Sequence, residues 1–276
     1  NIANVFYSRR IGGRPKDQFN VSSTLTPDEV ITENPQKVQL LNAIKVSGRT
    51  KNGLGLGFFN AITAKTEARI LDTITGETRK AVTNPFSNYN ILVVDKQFNQ
   101  NSTISLINTN VTRDGNFRDA NVTALDWHVE TKDSKYNIDG SAKMSNISDD
   151  VNDPRTGYTF DTSFGYNFEN YFWELGYNFE NKDFNPNDLG ILFSNNEQII
   201  YGNIGYRTLQ PKGNFNRYSF NFYNNAQFQH FSGIYTGYQA GLSFNAQLRS
   251  RTGFGFNLNY GTEQRDYFEP RQGSTS

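Results

Sequence analysis

The run Tyr158-Thr159-Phe160-Asp161-Thr162-Ser163-Phe164-Gly165-Tyr166 is followed, after Asn167-Phe168-Glu169-Asn170, by Tyr171-Phe172-Trp173-Glu174-Leu175-Gly176-Tyr177-Asn178-Phe179. In the first run Tyr158, Phe160, Thr162, Phe164 and Tyr166 share one parity, and Thr159, Asp161, Ser163, Gly165 and Asn167 share the other. The second run repeats the arrangement, with Tyr171, Trp173, Leu175, Tyr177 and Phe179 set against Phe172, Glu174, Gly176 and Asn178. Successive strand side chains point to opposite faces, so each run has one apolar and one wet face. About ten residues is also the length of a tilted strand that crosses a bilayer. The pair therefore predicts a hairpin in the wall of a transmembrane β-barrel.

The same parity recurs on both sides of this hairpin. Tyr136, Ile138, Gly140, Ala142 and Met144 oppose Asn137, Asp139, Ser141, Lys143 and Ser145. Ala240, Leu242, Phe244, Ala246 and Leu248 oppose Gln239, Ser243, Asn245, Gln247 and Arg249, and Phe254, Phe256, Leu258 and Tyr260 oppose Asn257 and Asn259. Earlier, Leu40, Ile44 and Val46 open the series and Leu54, Leu56, Phe58 and Ile62 follow the polar turn 49–53. A Lys or Arg facing lipid at mid-membrane costs roughly 2–4 kcal/mol, whereas one facing a wet lumen is solvated. Sorting of charge by parity is what that penalty selects. The expected fold is an all-β, antiparallel up-and-down transmembrane β-barrel with about twelve strands in this chain, either the whole barrel or part of a larger one. A soluble β-sandwich is the alternative, since it too sorts its faces, but it seldom needs so much Tyr and Phe near strand ends.

The connections divide into two sets. Segments 48–52, 98–102, 131–135, 168–170 and 250–252 are short, whereas 64–85, 112–119, 146–156 and 181–197 are long. A meander puts every second connection on one side, as outer-membrane barrels do with tight periplasmic turns and longer outer loops. Segments 208–216 and 230–233 break the alternation. Residues 1–37 read as an irregular lead-in, 38–262 as the barrel strands, and 263–276 as a polar tail or a link to further strands.

Composition narrows the class. The chain has 276 residues, with 23 Phe, 15 Tyr and one Met, and a mean hydropathy of -0.67. No apolar run approaches the roughly 18 residues of a spanning helix. A barrel hides its membrane character in this way because alternate residues cancel in any window. The 27 basic and 27 acidic residues balance, so no global field favours nucleic acid, and none is expected as a partner. Cysteine is absent, which removes disulfides, thiolate metal sites and cysteine nucleophiles.

The pieces Phe6-Tyr7-Ser8-Arg9-Arg10-Ile11-Gly12, Lys45-Val46-Ser47-Gly48-Arg49-Thr50-Lys51-Asn52-Gly53-Leu54, Asn60-Ala61-Ile62-Thr63-Ala64 and Asn185-Pro186-Asn187-Asp188-Leu189-Gly190 resemble an uncharacterised family of Bacteroidota cell-envelope proteins. In that family a domain of unknown function follows a module similar to family-nine carbohydrate-binding domains. The resemblance is spread over roughly the first 200 residues. It implies a bacterial outer-membrane barrel with a link to glycans, and it supplies no catalytic residues. This chain lacks the carbohydrate-binding module and ends without a terminal aromatic strand, so both ends of the natural protein are expected to extend further.

Candidate chemistry is sparse. Asp126, His128 and Glu130 fall on one strand face at successive i+2 positions, where they could form a luminal patch that holds a cation; the bland alternative is a solvated polar face. Asn181, Asp183, Asn185, Asn187 and Asp188 offer oxygen ligands at alternating spacing. The set fails the calcium-loop pattern, because Asp188 stands where Gly should turn the chain and Ser194 where Glu should close the site. A structural loop turned by Asn and Asp explains the spacing as well. Glu174 with Asp161, or Asp139 with Glu130, could serve as a paired-carboxylate glycosidase site only if the carboxyls stood about 5–10 Å apart. No nucleophile elbow, phosphate loop or HExxH occurs. The expectation is a non-enzymatic conduit or membrane-embedded scaffold of an envelope assembly, without catalytic residue, cofactor or metal. Its partners would be outer-membrane lipid, other envelope proteins and glycan. The alternative is an outer-membrane enzyme or glycan-binding surface protein acting through the long loops.

Overall fold

A computed structural model describes residues 5–149 and 152–262. Fifteen strands run β1 Glu29–Glu33, β2 Leu40–Arg49, β3 Leu54–Thr63, β4 Thr66–Asp72, β5 Thr78–Asn84, β6 Ser87–Phe98, β7 Ser102–Arg113 and β8 Asp119–Glu130, followed by β9 Tyr136–Asp149, β10 Asn152–Phe168, β11 Tyr171–Glu180, β12 Glu197–Arg207, β13 Phe215–Gln229, β14 Tyr235–Leu248 and β15 Gly253–Gly261. Twelve of them form one sheet in the order β15-β14-β13-β12-β11-β10-β9-β8-β7-β6-β3-β2. Every pairing is antiparallel. The sheet is therefore a meander interrupted once, between β3 and β6.

Register carries one apolar face around all twelve strands. Across β10 and β11, Phe164 faces Leu175 and Tyr166 faces Trp173; the row continues through Ile204 and Phe222 to Leu242 and Leu258. In the other direction Phe164 meets Ile138, and Leu125, Leu106, Val94 and Leu56 carry the face onward. Many of these side chains lie open, with Leu175 59% and Leu258 61% exposed. Phe256 is exposed, while Trp173 and Leu242 are half-buried among neighbours on the same face. The apolar parity is thus the outside of the sheet.

The buried core lies on the other face, against two segments that fold onto it. Leu189, from the β11–β12 connection, packs with Ala61, Tyr89, Ile91 and Val111 of β3, β6 and β7. Val5 packs on Ile107, Val122 and Ala124, and the Phe6 and Phe59 rings stand 6.0 Å apart. The two segments are tied to each other, since the Tyr7 amide donates to the Leu189 carbonyl at 2.5 Å. A connection leaving β11 can reach β6 and β3 only if the sheet curves around it, so this loop is what the concave side encloses.

Four features differ from the sequence reading. The lead-in contains β1, which pairs with β4, and β4 pairs with β5, giving a three-stranded sheet over a core of Val21, Ala68 and Ile70. Segment 64–85, read as a loop, supplies two of those strands. Segment 146–156 is mostly strand, with β9 reaching Asp149 and β10 starting at Asn152; Asn146 and Thr156 face each other in the ladder, so period-2 pairing continues through polar residues there. Closure is the fourth difference. Among the described residues β2 and β15 each have one hydrogen-bonded neighbour, so the meander is present without a closed barrel. The tail read at 263–276 lies outside the described residues.

Candidate functional site

On the concave face, β8 to β11 bring ionisable side chains together at matched register. Asp126 faces Ser141 and His128 faces Asp139, Asp161 faces Ser141 and Thr159 faces Lys143, and Glu180 faces Thr159. These residues line a cavity of about 530 Å³ whose wall is mostly polar, with Ile107 and Trp127 among the lining side chains. His128 Nδ1 is paired with Asp139 Oδ1, and the other Asp139 oxygen accepts from the Asn137 amide. Ser141 donates to Asp161. The Lys143 amine stands 3.7 Å from the same carboxylate, with its side chain only 7% exposed.

Asp126 and His128 therefore share one cavity. Glu130 does not line it; at the end of β8 its backbone amide donates to the Ser102 hydroxyl oxygen at 2.9 Å. Asp139, Asp161 and Lys143 belong to the same cavity although the i+2 pattern on β8 could not show them. Their signal was present in the parity of β9 and β10, and only the inter-strand register joined the three patterns. Among the described residues no group of three or more His, Cys, Asp or Glu is placed to hold a metal ion. Of the carboxylate pairs considered from sequence, Asp139 is committed to His128 and Asn137, and Glu130 faces Asn137 across the ladder. Asp161 faces Asn178, and Glu174 stands further along β11 opposite Gly165.

The loop 181–196 uses its polar residues on itself and on the wall. Asn185 Oδ1 accepts the Asn187 amide at 3.0 Å, and Asn187 staples Leu192 through both its amide and its carbonyl. The Asn185 amide donates to Ser145 Oγ at 3.0 Å. Asp188 is taken by three cations: Lys16 at 2.5 Å, Arg113 at 2.8 Å and Arg118 at 2.6 Å. Burial alone would push the Asp188 carboxyl up, but the facing charges of Lys16, Arg113 and Arg118 prevail and hold it down at about 2. The carboxylate that the loop spacing offered to a metal ion is thus spent on fastening the loop, and Asp183 takes no part in this cluster.

Gly157 lets the loop come this close. A Cβ at that position on β10 would run into the backbone of Asp183 and Phe184, and Phe184 is buried. The loop and the lead-in segment are therefore packed against the concave face of β3, β6, β7, β8, β9 and β10.

The model of a family described as a domain of unknown function, DUF5916, matches residues 1–276. The chain belongs to that family. No curated protein matches it. In this DUF5916 chain the family assignment covers the lead-in, the small sheet and the meander together, so the inward-folded segments and the wall they press on belong to one matched unit.

Proposed function

We propose that this chain forms the wall of an outer-membrane β-barrel of the bacterial envelope and acts as a conduit or membrane-embedded scaffold, not as an enzyme. The observation that carries this is the continuous outward row of exposed apolar side chains, among them Leu92, Leu106, Leu125, Ile138, Phe164, Leu175, Ile204, Phe256 and Leu258. Exposed apolar surface of that extent marks contact with a partner or a membrane. Strands of 9 to 17 residues are long enough to cross a hydrocarbon layer at a tilt. Unpaired backbone groups are not tolerated in lipid, so the free edges of β2 and β15 are paired in the membrane, by each other, by further strands or by an envelope partner. Because β2 and β15 are the first and last of twelve alternating strands, they run antiparallel, and any strands inserted between them from one chain come in even number.

The long loop argues for an internal role over an external one. Asn185, Asn187 and Asp188 are engaged with the wall and with the loop itself, so they are not offered to a ligand outside. The test is paired lysine substitution. Leu175→Lys on the apolar face should cost about 2–4 kcal/mol of membrane assembly, while Asn245→Lys, on the wet face, should leave assembly into liposomes unchanged. Equal loss in both, or full solubility of the unaltered chain without detergent, would overturn the membrane reading. Planar-bilayer conductance then separates an open conduit from a plugged scaffold.

A further inference from the structure

The concave face changes character at β12. From β8 to β11 it carries Asp126, Asp139, Lys143, Asp161, Glu174 and Glu180, whereas β14 and β15 contain no charged residue and β12 and β13 carry theirs only near their ends, at Glu197, Arg207 and Arg217. Between those ends the inward positions hold amides, hydroxyls and glycines, with one aliphatic side chain, Ile199, and two aromatic rings, Tyr201 and Tyr223.

Both rings lie across a glycine on the neighbouring strand. Tyr201 faces Gly176 and Tyr223 faces Gly241, and a Cβ at either glycine would collide with the ring. A side chain that reaches over its cross-strand partner lies along the wall, with one side on backbone and the other turned to the interior. Tyr223 is 39% exposed in that position. Tyr201 faces Asn225 and Tyr223 faces Asn203, so the two residues are diagonal neighbours with Cα atoms on the order of 7–8 Å apart, while their rings lean apart, one over β11 and the other over β14. A third inward ring, Phe172, covers Gly205 in the same way but is itself capped by the Arg207 guanidinium at 5.4 Å.

We infer that Tyr201 and Tyr223, with the amides around them, form a binding surface for a neutral, polyhydroxylated ligand, an oligosaccharide. Ring faces stack on the C–H faces of a sugar, and carboxamides both donate to and accept from hydroxyls. Glu174, directly opposite Asn203, disfavours an anionic ligand at the same place. The inference rests on the barrel reading, since only a curved sheet encloses this face.

The experiment uses the full chain in detergent micelles and in liposomes. Binding of maltohexaose, cellohexaose, chitohexaose and anionic hexagalacturonate is measured by saturation-transfer NMR with irradiation of the aromatic protons, and by equilibrium dialysis. At least one neutral hexasaccharide should bind, with hexagalacturonate at least tenfold weaker. Tyr201→Ala and Tyr223→Ala should each weaken it about tenfold or more, whereas Tyr223→Phe, which keeps the ring, should stay within about threefold, and Phe256→Ala on the outer face should change nothing. The wild-type result decides even if the alanine variants fail to fold: no neutral hexasaccharide bound, or hexagalacturonate bound equally well, overturns the inference. So does unchanged binding in folded alanine variants. Insertion into liposomes with no saccharide bound would sink this inference while leaving the barrel reading standing.

Discussion

Removing the Asp188 carboxylate should release the loop 181–196 from the wall. The Asp188 side chain is 4% exposed and the Arg113 side chain 2%, so the pair they make is shielded from water, while Lys16 at 47% and Arg118 at 29% contribute less. Deleting one partner of a buried ion pair strands the other without compensation and costs about 3–5 kcal/mol. In Asp188→Ala that penalty falls on Arg113, and the local answer is to open the loop so that water reaches the guanidinium. The Gly190 amide, bonded to the Pro186 carbonyl at 2.7 Å, and the Tyr7 amide, bonded to Leu189, report the opening by hydrogen exchange. Where exchange follows the opening equilibrium, both should exchange about 10²–10⁴-fold faster, the same free energy at about 1.4 kcal/mol per decade. Amides in the middle of β13 and β14, remote from the cluster, should keep their rates. Unchanged exchange at Gly190 and Tyr7 in a folded Asp188→Ala variant would refute the argument that this cluster fastens the loop.

Acid should weaken the same contact in the unaltered protein. A carboxyl held at about 2 in the folded state against an ordinary 3.8 stabilises above the ordinary value, and the contribution, about 2 kcal/mol, disappears as pH falls from about 4 to about 2. Loop exchange measured across that window should rise in wild type and stay flat in Asp188→Ala. Gly157→Ala should loosen the loop by steric means, because the added methyl meets the Phe184 backbone; overpacking of this kind costs about 1–3 kcal/mol, and proteolysis at 181–196 should accelerate with the strand ladder intact. Ile70→Ala, at a fully buried position of the small sheet, should cost about 2–5 kcal/mol and expose β1, β4 and β5 to exchange ahead of the meander. Glu29, outside the meander, is hydrogen-bonded by Arg79 and by the Thr26 amide and held at about 2. A carboxyl titration by NMR should find it still ionised at pH 3, and Arg79→Ala should return it toward the ordinary range.

What the sequence by itself determined was the division of each strand between two surroundings. Period-2 alternation is local, since every second residue of Tyr158 to Phe179 declares its face without reference to the rest of the chain. Each short turn then fixes the register of its hairpin. The hairpins of the meander and the apolar face that runs along them follow from those two rules, whereas the β3–β6 pairing, across the segment that forms β4 and β5, does not. Local rules did not reveal β1, a short strand that alternates weakly and finds its partner, β4, about forty residues on. They also failed at 146–156, where polar residues on both faces hid the strands.

Only the tertiary structure decided what fills the concave side. Asp188 meets Arg118, Arg113 and Lys16 across 70, 75 and 172 residues of chain, and no spacing rule joins them. From sequence, the carboxylate was a metal-loop candidate or a turn former. Curvature of the sheet carries the β11–β12 loop back against β7, β6 and β3, where a buried carboxylate is stable only if cations meet it. The same curvature sets Asp126 and His128 beside Asp139, Asp161 and Lys143, and lays Tyr201 and Tyr223 over glycines of adjoining strands. A strand's two faces are written in its own residues, but its neighbours across an enclosed space are chosen by how the whole sheet bends.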